Sequence, residues 1–256
     1  MQHLRLVIAS VTLGLTLVAA AGASPAHADA LKCKATITKA ASQYVQARTK
    51  ALVKCETSVV AGKLPMATDC NNETKTDAAI DKAKAAAFDG QMFAGPLGHK
   101  TYACFVRRYD GSHLAQHPKQ KVSAMKLLVT AEDVPEDKTV NYSFRLGFKY
   151  RHRPGNFDSS GYCNHVVAEN SRGEIRLGCG VDCEGGGIGV AMKDDRSALI
   201  RLERIRIWER NKPDDDASND LVAGADDKIF RLDRTDLHEC SELVTDRKEL
   251  AALRHK

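Results

Sequence analysis

Eight cysteines are the residues with the most chemistry to offer: Cys33, Cys55, Cys70, Cys104, Cys163, Cys179, Cys183 and Cys240. Thiols hold metals, act as nucleophiles or cross-link, and their number and setting decide which. An even count in an exported chain reads as a disulfide framework. The rival is a zinc site. Cys179 and Cys183 form a CxxxC, but no second pair follows at zinc-ribbon spacing. The stretch Cys179-Gly-Val-Asp-Cys-Glu-Gly-Gly-Gly187 is the most unusual in the chain. Gly185, Gly186 and Gly187 admit positive φ or a close backbone approach. One reading makes them an anion cradle with Asp182 and Glu184 beside it. The other makes them a tight turn entering a strand at Ile188. No GK[ST] follows, so the run is not a nucleotide loop.

Other groups are weaker. His113 and His117 stand at i,i+4, a spacing that holds a metal on one helix face, but Pro118 follows and no HExxH surrounds them. His152 and His165 lie in other segments. Asp214, Asp215, Asp216, Asp220, Asp226 and Asp227 gather carboxylates without EF-hand spacing. Between residues 98 and 153, eleven basic residues face five acids. Arg145, Lys149 and Arg151 share the wet face of one strand, which points to an anionic polymer or envelope component as partner. The templates GxSxG, HExxH and SxxK with its partners are missing, so no catalytic residue is assigned and no cofactor is named.

What must position these residues begins with a leader. Arg5 precedes the apolar run from Leu6 to Ala23, and Ala26-His27-Ala28 follows it. That is the grammar of a secretory signal peptide cut after Ala28, with Ala30 as the alternative. Lys32 before Cys33 excludes a lipidation signal. No later stretch reaches 18 apolar residues, so the mature chain is expected to carry no transmembrane segment and to be periplasmic or secreted. The chain has 256 residues, 43% hydrophobic and 28% charged, which suits globular domains rather than disorder. Aromatics make up 5% with one tryptophan, too few for a base-stacking platform, and sequence-specific nucleic-acid recognition is not expected.

Four segments follow: a signal peptide (1–28), a helical hairpin (31–92), an antiparallel β domain (98–243) and a charged tail (244–256). In the hairpin, Ile37, Ala41, Tyr44, Ala51, Cys55 and Val59 recur at helical spacing. Gly62 and Pro65 stop that helix. Thr74 to Asp77 caps a second, alanine-rich one, which Gly90 ends. Cys33 and Cys55 are about 33 Å apart along one helix at 1.5 Å per residue, too far to bond. Cys55 and Cys70 flank the inter-helix loop and can bond. Beyond residue 100 the period is two, clearest from Val140 to Arg151. Further strands are read at 101–107, 122–130, 162–168, 174–177, 188–192, 198–208 and 228–232. The class is α+β, with about eight antiparallel strands in a barrel or sandwich. Cys163 and Cys179 are equidistant from Ser171, so a symmetric hairpin sets them face to face. Elimination then leaves Cys183 with Cys240 and Cys33 with Cys104. Residues 209–227 read as an irregular acidic loop.

Two stretches carry a resemblance. Cys33-Lys-Ala-Thr-Ile-Thr-Lys-Ala-Ala-Ser-Gln-Tyr-Val-Gln-Ala-Arg-Thr-Lys-Ala-Leu-Val-Lys-Cys55 resembles a cysteine-bracketed helix of exported bacterial proteins. There a later cysteine closes the second helix, and here none stands near Gly90. The string from Cys179 to Gly187, followed by Asp226-Asp227-Lys-Ile-Phe-Arg-Leu-Asp-Arg-Thr-Asp-Leu, resembles uncharacterised exported bacterial proteins with a CxVDCxGGG motif. That similarity covers roughly residues 98–243. It implies a bacterial envelope setting and brings no activity. The expectation is a disulfide-stapled binding or structural protein of the envelope. The alternatives are a hydrolase of an envelope polymer using His165 or His113, and a metal-binding periplasmic protein.

Overall fold

The computed structural model describes residues 25–168, 173–182, 184–210, 212 and 219–254, with side chains from residue 35 onward except at 36, 37, 40 and 254. Most of the expected leader, Cys183, the Cys33 side chain and Asp214 to Asp216 lie outside the described residues. Helix α1 spans Pro25–Val60 and α2 spans Thr74–Met92. Alanine and lysine dominate both, and both are good helix formers. Gly62, at φ 69°, follows the end of α1, and its N–H bonds to Val59 O. The Glu73 carboxylate caps α2 by accepting from Thr76 N at 2.8 Å. The two helices pack on each other, and Cys55 bonds to Cys70 across the loop with Cα atoms 5.7 Å apart.

Gly90 does not end α2, as expected from its sequence, because the last turn is capped from elsewhere. The Arg234 guanidinium donates to Gln91 O at 2.7 Å and Met92 O at 2.9 Å. A cation at that end also suits the helix dipole. Phe88, Met92 and Phe93 are then buried against one end of the sheet.

Nine antiparallel strands follow: β1 Lys100–Arg108, β2 Val122–Val134, β3 Thr139–Tyr150, β4 Phe157–Val167, β5 Ile175–Gly180, β6 Gly186–Asp194, β7 Ser197–Glu209, β8 Asn219–Val222 and β9 Ile229–Thr235. A short helix, α3 (Gly111–Gln116), joins β1 to β2. Consecutive strands pair from β1 to β7, then β7 pairs β9 and β9 pairs β1, so eight strands make a closed circuit. Strand β8 hangs on the second half of β7. It falls inside the stretch expected to be irregular. Leu221, 1% exposed, anchors it to the core, which local polarity did not reveal. Inside the circuit Phe105, Phe144, Phe157, Phe230, Met125, Leu146 and Ile200 are fully buried. Side chains fill the interior, as they do in rings of this size. No described helix is long and apolar enough to cross a membrane.

The pairing of Cys163 with Cys179 lies between directly opposed residues of β4 and β5. The other two expected pairings fail. Cys104 bonds to Cys240 instead, 136 residues away. The cause is the C-terminal segment, a 3₁₀ turn (Leu237–Leu243) and α4 (Arg247–Arg254). It folds back over the outer face of β1 and β2, burying Leu243, Val244 and Leu253 against Tyr102, Val106 and Leu128. The expected charged tail is therefore a packed layer. Covered on both sides, β1 reads as a continuous apolar run rather than an alternation.

Charge holds this layer down. Glu239 meets Arg108 at 2.6 Å, Glu242 meets Lys126 and Arg210 at 3.3 Å each, and Glu249 meets Arg145 at 2.9 Å. The hydrogen bond from Arg108 holds the Glu239 carboxyl below its ordinary range. At Glu249 burial pushes upward, but Arg145 and Lys100 outweigh it. These carboxyls titrate near 4.5 in a free chain and lower when folded. Their stabilisation is thus complete above about pH 4.5 and lost as pH falls through the lower folded values. Near-ultraviolet circular dichroism with urea at pH 6 and pH 3 is expected to show a lower midpoint at pH 3. Replacing Cys104 and Cys240 together by alanine is expected to cost about 3–5 kcal/mol in the same assay.

Candidate functional site

The basic strand face is largely spent within the chain. Arg145 makes a two-pronged bond to Glu249 at 3.0 and 2.9 Å, and Arg151 donates to Leu114 O at 3.0 Å. Lys149 alone of the three is exposed. Of the three, Arg145 is spent on Glu249 of the C-terminal layer and Arg151 on a backbone carbonyl, which leaves Lys149 open to an external anion.

The histidine pair also changes. Helix α3 stops at Gln116 and His117 is its C-cap, so the two residues do not share a helix face. Their rings stack at 4.3 Å, Tyr109 stacks on His113 at 4.7 Å, and His113 Nε2 lies 3.0 Å from Gln120 Oε1. Among the described residues no three His, Cys, Asp or Glu side chains converge as a metal would need. The described acids are committed separately. Asp220 pairs with Arg204, Asp226 accepts from Lys119 N, and buried Asp227 accepts from Lys121 N with both oxygens. Burial pushes the Asp227 carboxyl up, and backbone N–H donors offset part of that cost.

His165 has a partner that sequence spacing could not show. It points inward from β4 where α2 covers the sheet, and its Nε2 lies 2.9 Å from Asp89 Oδ1. The carboxylate accepts, so Nε2 carries the proton. Tyr142 donates its hydroxyl to Asp89 Oδ2 at 2.7 Å. Burial, with the bond to Asp89, holds the Tyr142 phenol far above its ordinary range and keeps it a donor. Asp89 sits in the last turn of α2, the unfavourable end of a helix for a negative charge. The two donors compensate, and together they bolt α2 to β3 and β4. A crevice of about 320 Å³ opens beside Asp89, lined by Lys39, Gln43, Gly90 and residues 95–97. The Asp89→Ala variant leaves the buried Tyr142 hydroxyl and the partly buried His165 ring unpartnered. It is expected to lose about 1–3 kcal/mol per orphaned group in urea unfolding.

The CxVDCxGGG run folds as a turn. Gly185 N–H bonds to Asp182 O at 3.3 Å, Gly185 O accepts from Arg206 N at 2.6 Å, and Gly186 O accepts from Val181 N at 2.9 Å. Gly186 has φ 69° and Gly187 is already paired with Gly180. A Cβ at Gly186 would strike the Arg204 carbonyl oxygen, and one at Gly187 that of Cys179. Gly186 and Gly187 thus serve close backbone approach, as the turn reading has it.

The same run floors a different feature. On the outer wall of β4 to β7 lies a trough of about 680 Å³. Gly178, Gly187 and Gly189 form its floor, Asn164 and Val166 one wall, and Arg201, Glu203 and Arg204 the other. At the trough the outward positions Gly178, Gly187 and Gly189 are therefore bare while their inward neighbours Leu177, Cys179, Ile188 and Val190 are buried. Arg204 is tied to Asp220 at 2.9 Å and to Glu184 O at 2.6 Å. The side chains of Arg201 and Glu203 have no hydrogen-bond or ion-pair partner among the described residues. The signal was present as Gly178-x-Gly180 and Gly187-x-Gly189, a glycine alternation of period two on one face.

Comparison of the chain with protein-family models, with curated proteins and with solved structures finds no match.

Proposed function

We propose that this chain is an exported binding protein of the bacterial envelope, a helical hairpin followed by a closed, filled antiparallel β-barrel that takes its ligand on its outer wall. The leader-like N-terminus and the resemblance of the CxVDCxGGG stretch support export. Three disulfides support life in an oxidising compartment. A filled interior leaves the outer surface as the place to bind. The observation that carries the reading is the trough on β4 to β7, with Arg201 and Glu203 unengaged beside a bare floor. Such a concave site with a few unspent polar groups is the usual form of a binding site.

A second reading, hydrolysis of the same class of polymer, draws on the Asp89–His165 pair, since a carboxylate-oriented imidazole is a general base in waiting. The first reading predicts that mature protein co-sediments with isolated cell-wall material and that Arg201→Ala with Glu203→Ala lowers the bound fraction at least about tenfold, a change of about 1.4 kcal/mol. Equal sedimentation of the double variant would overturn it. Release of soluble fragments from that material, lost in His165→Ala, would favour the second.

A further inference from the structure

We infer that the trough on β4 to β7 is a site for a neutral saccharide chain, an inference that rests on the trough being the binding face. Four observations converge. First, the floor is barer than the fold requires. A Cβ on Gly189 would sit 3.8 Å from the Arg201 Cβ, an ordinary contact, and Gly189 has no positive φ. Glycine within a strand weakens it, so a floor glycine the chain could replace by alanine keeps open space at a cost.

Second, the charges cancel. Arg201 and Glu203, unpaired, carry opposite charges, and Arg204 pairs with Asp220. A polyanion would meet no net field here. Third, the trough lies on a sheet face whose backbone groups are paired strand to strand, Gly178 with Gly189 and Gly180 with Gly187 among them. A peptide adding as a strand needs a free edge, and this face offers none. A ligand here bonds through side chains alone. Asn164, Arg201 and Glu203 offer planar donors and acceptors of the kind that hydroxyl pairs accept and donate to. Fourth, Tyr162 stands two residues before Asn164 on the same face, 66% exposed and opposite Gly180. An amphipathic ring beside a bare floor gives the flat face of a sugar a surface to lie on. Three strand spacings make the floor about 14 Å across, room for a short oligosaccharide.

The test uses the mature chain and isothermal titration with chitotetraose and cellotetraose as neutral probes, and heparin as a polyanion. At least one neutral probe is expected to bind, with affinity unchanged between about 50 and 300 mM salt, values chosen to span about a 2.4-fold change in screening length. Gly189→Val, which fills the floor, is expected to weaken that binding at least tenfold while the melting temperature stays level or rises. Tyr162→Ala on the exposed rim does the same and guards against a folding defect in the first variant. Binding of heparin alone, lost in Gly189→Val, would keep the trough as the binding face and overturn the neutral ligand in favour of a polyanion. Neutral probes that bind both variants as well as the parent, or bind nothing, would overturn the inference outright.

Discussion

The strand circuit depends on backbones that approach one another more closely than any side chain allows. At Gly161 a Cβ would strike the Gly180 carbonyl oxygen, at Gly187 that of Cys179, and at Gly186 that of Arg204. These contacts lie between β4 and β5, β5 and β6, and β6 and β7, three successive joints of the circuit. Strands cannot close without such corners, and glycine supplies them. Closure has two consequences. It gives an interior in which Phe105, Phe144, Phe157 and Phe230 pack fully buried, and it leaves a wall whose outer surface is partly bare backbone. The trough is a by-product of that curvature, widened by Gly189, which curvature does not demand.

The remaining elements close what the circuit leaves open. Helix α2 lies over one end, fastened by Asp89 to Tyr142 and His165 and by Arg234 to its last carbonyls. The Asp227 loop grips the start of β2 through Lys121 N at the other. The C-terminal segment covers β1 and β2, held by Cys104–Cys240 and by three glutamates on five basic side chains. Gly147 makes room for it, since a Cβ there would strike Leu243. Of the basic residues that look like a docking face in isolation, Arg145 is thereby neutralised at home.

Local features were legible in the amino-acid order. The alternation along β3, the long alanine-rich helices and the Cys55–Cys70 and Cys163–Cys179 pairs follow from short-range geometry, and all are found. Long-range features were not. Cys104–Cys240 joins residues 136 apart, and nothing near either cysteine announces it. Strand β8 is hidden in acidic sequence because only Leu221 anchors it. His165 was singled out, but its partner Asp89 sits on a helix 76 residues earlier. The glycine alternation that floors the trough was readable, and the triple glycine beside it drew the eye instead.

That backbone crowding at glycine governs closure is tested most directly by the urea midpoint of Gly187→Ala beside that of Gly180→Ala. The account predicts a loss of at least about 2 kcal/mol for the first, from forced displacement of paired strands, and no loss for the second. Equal midpoints for the two variants, both close to that of the parent chain, would contradict it.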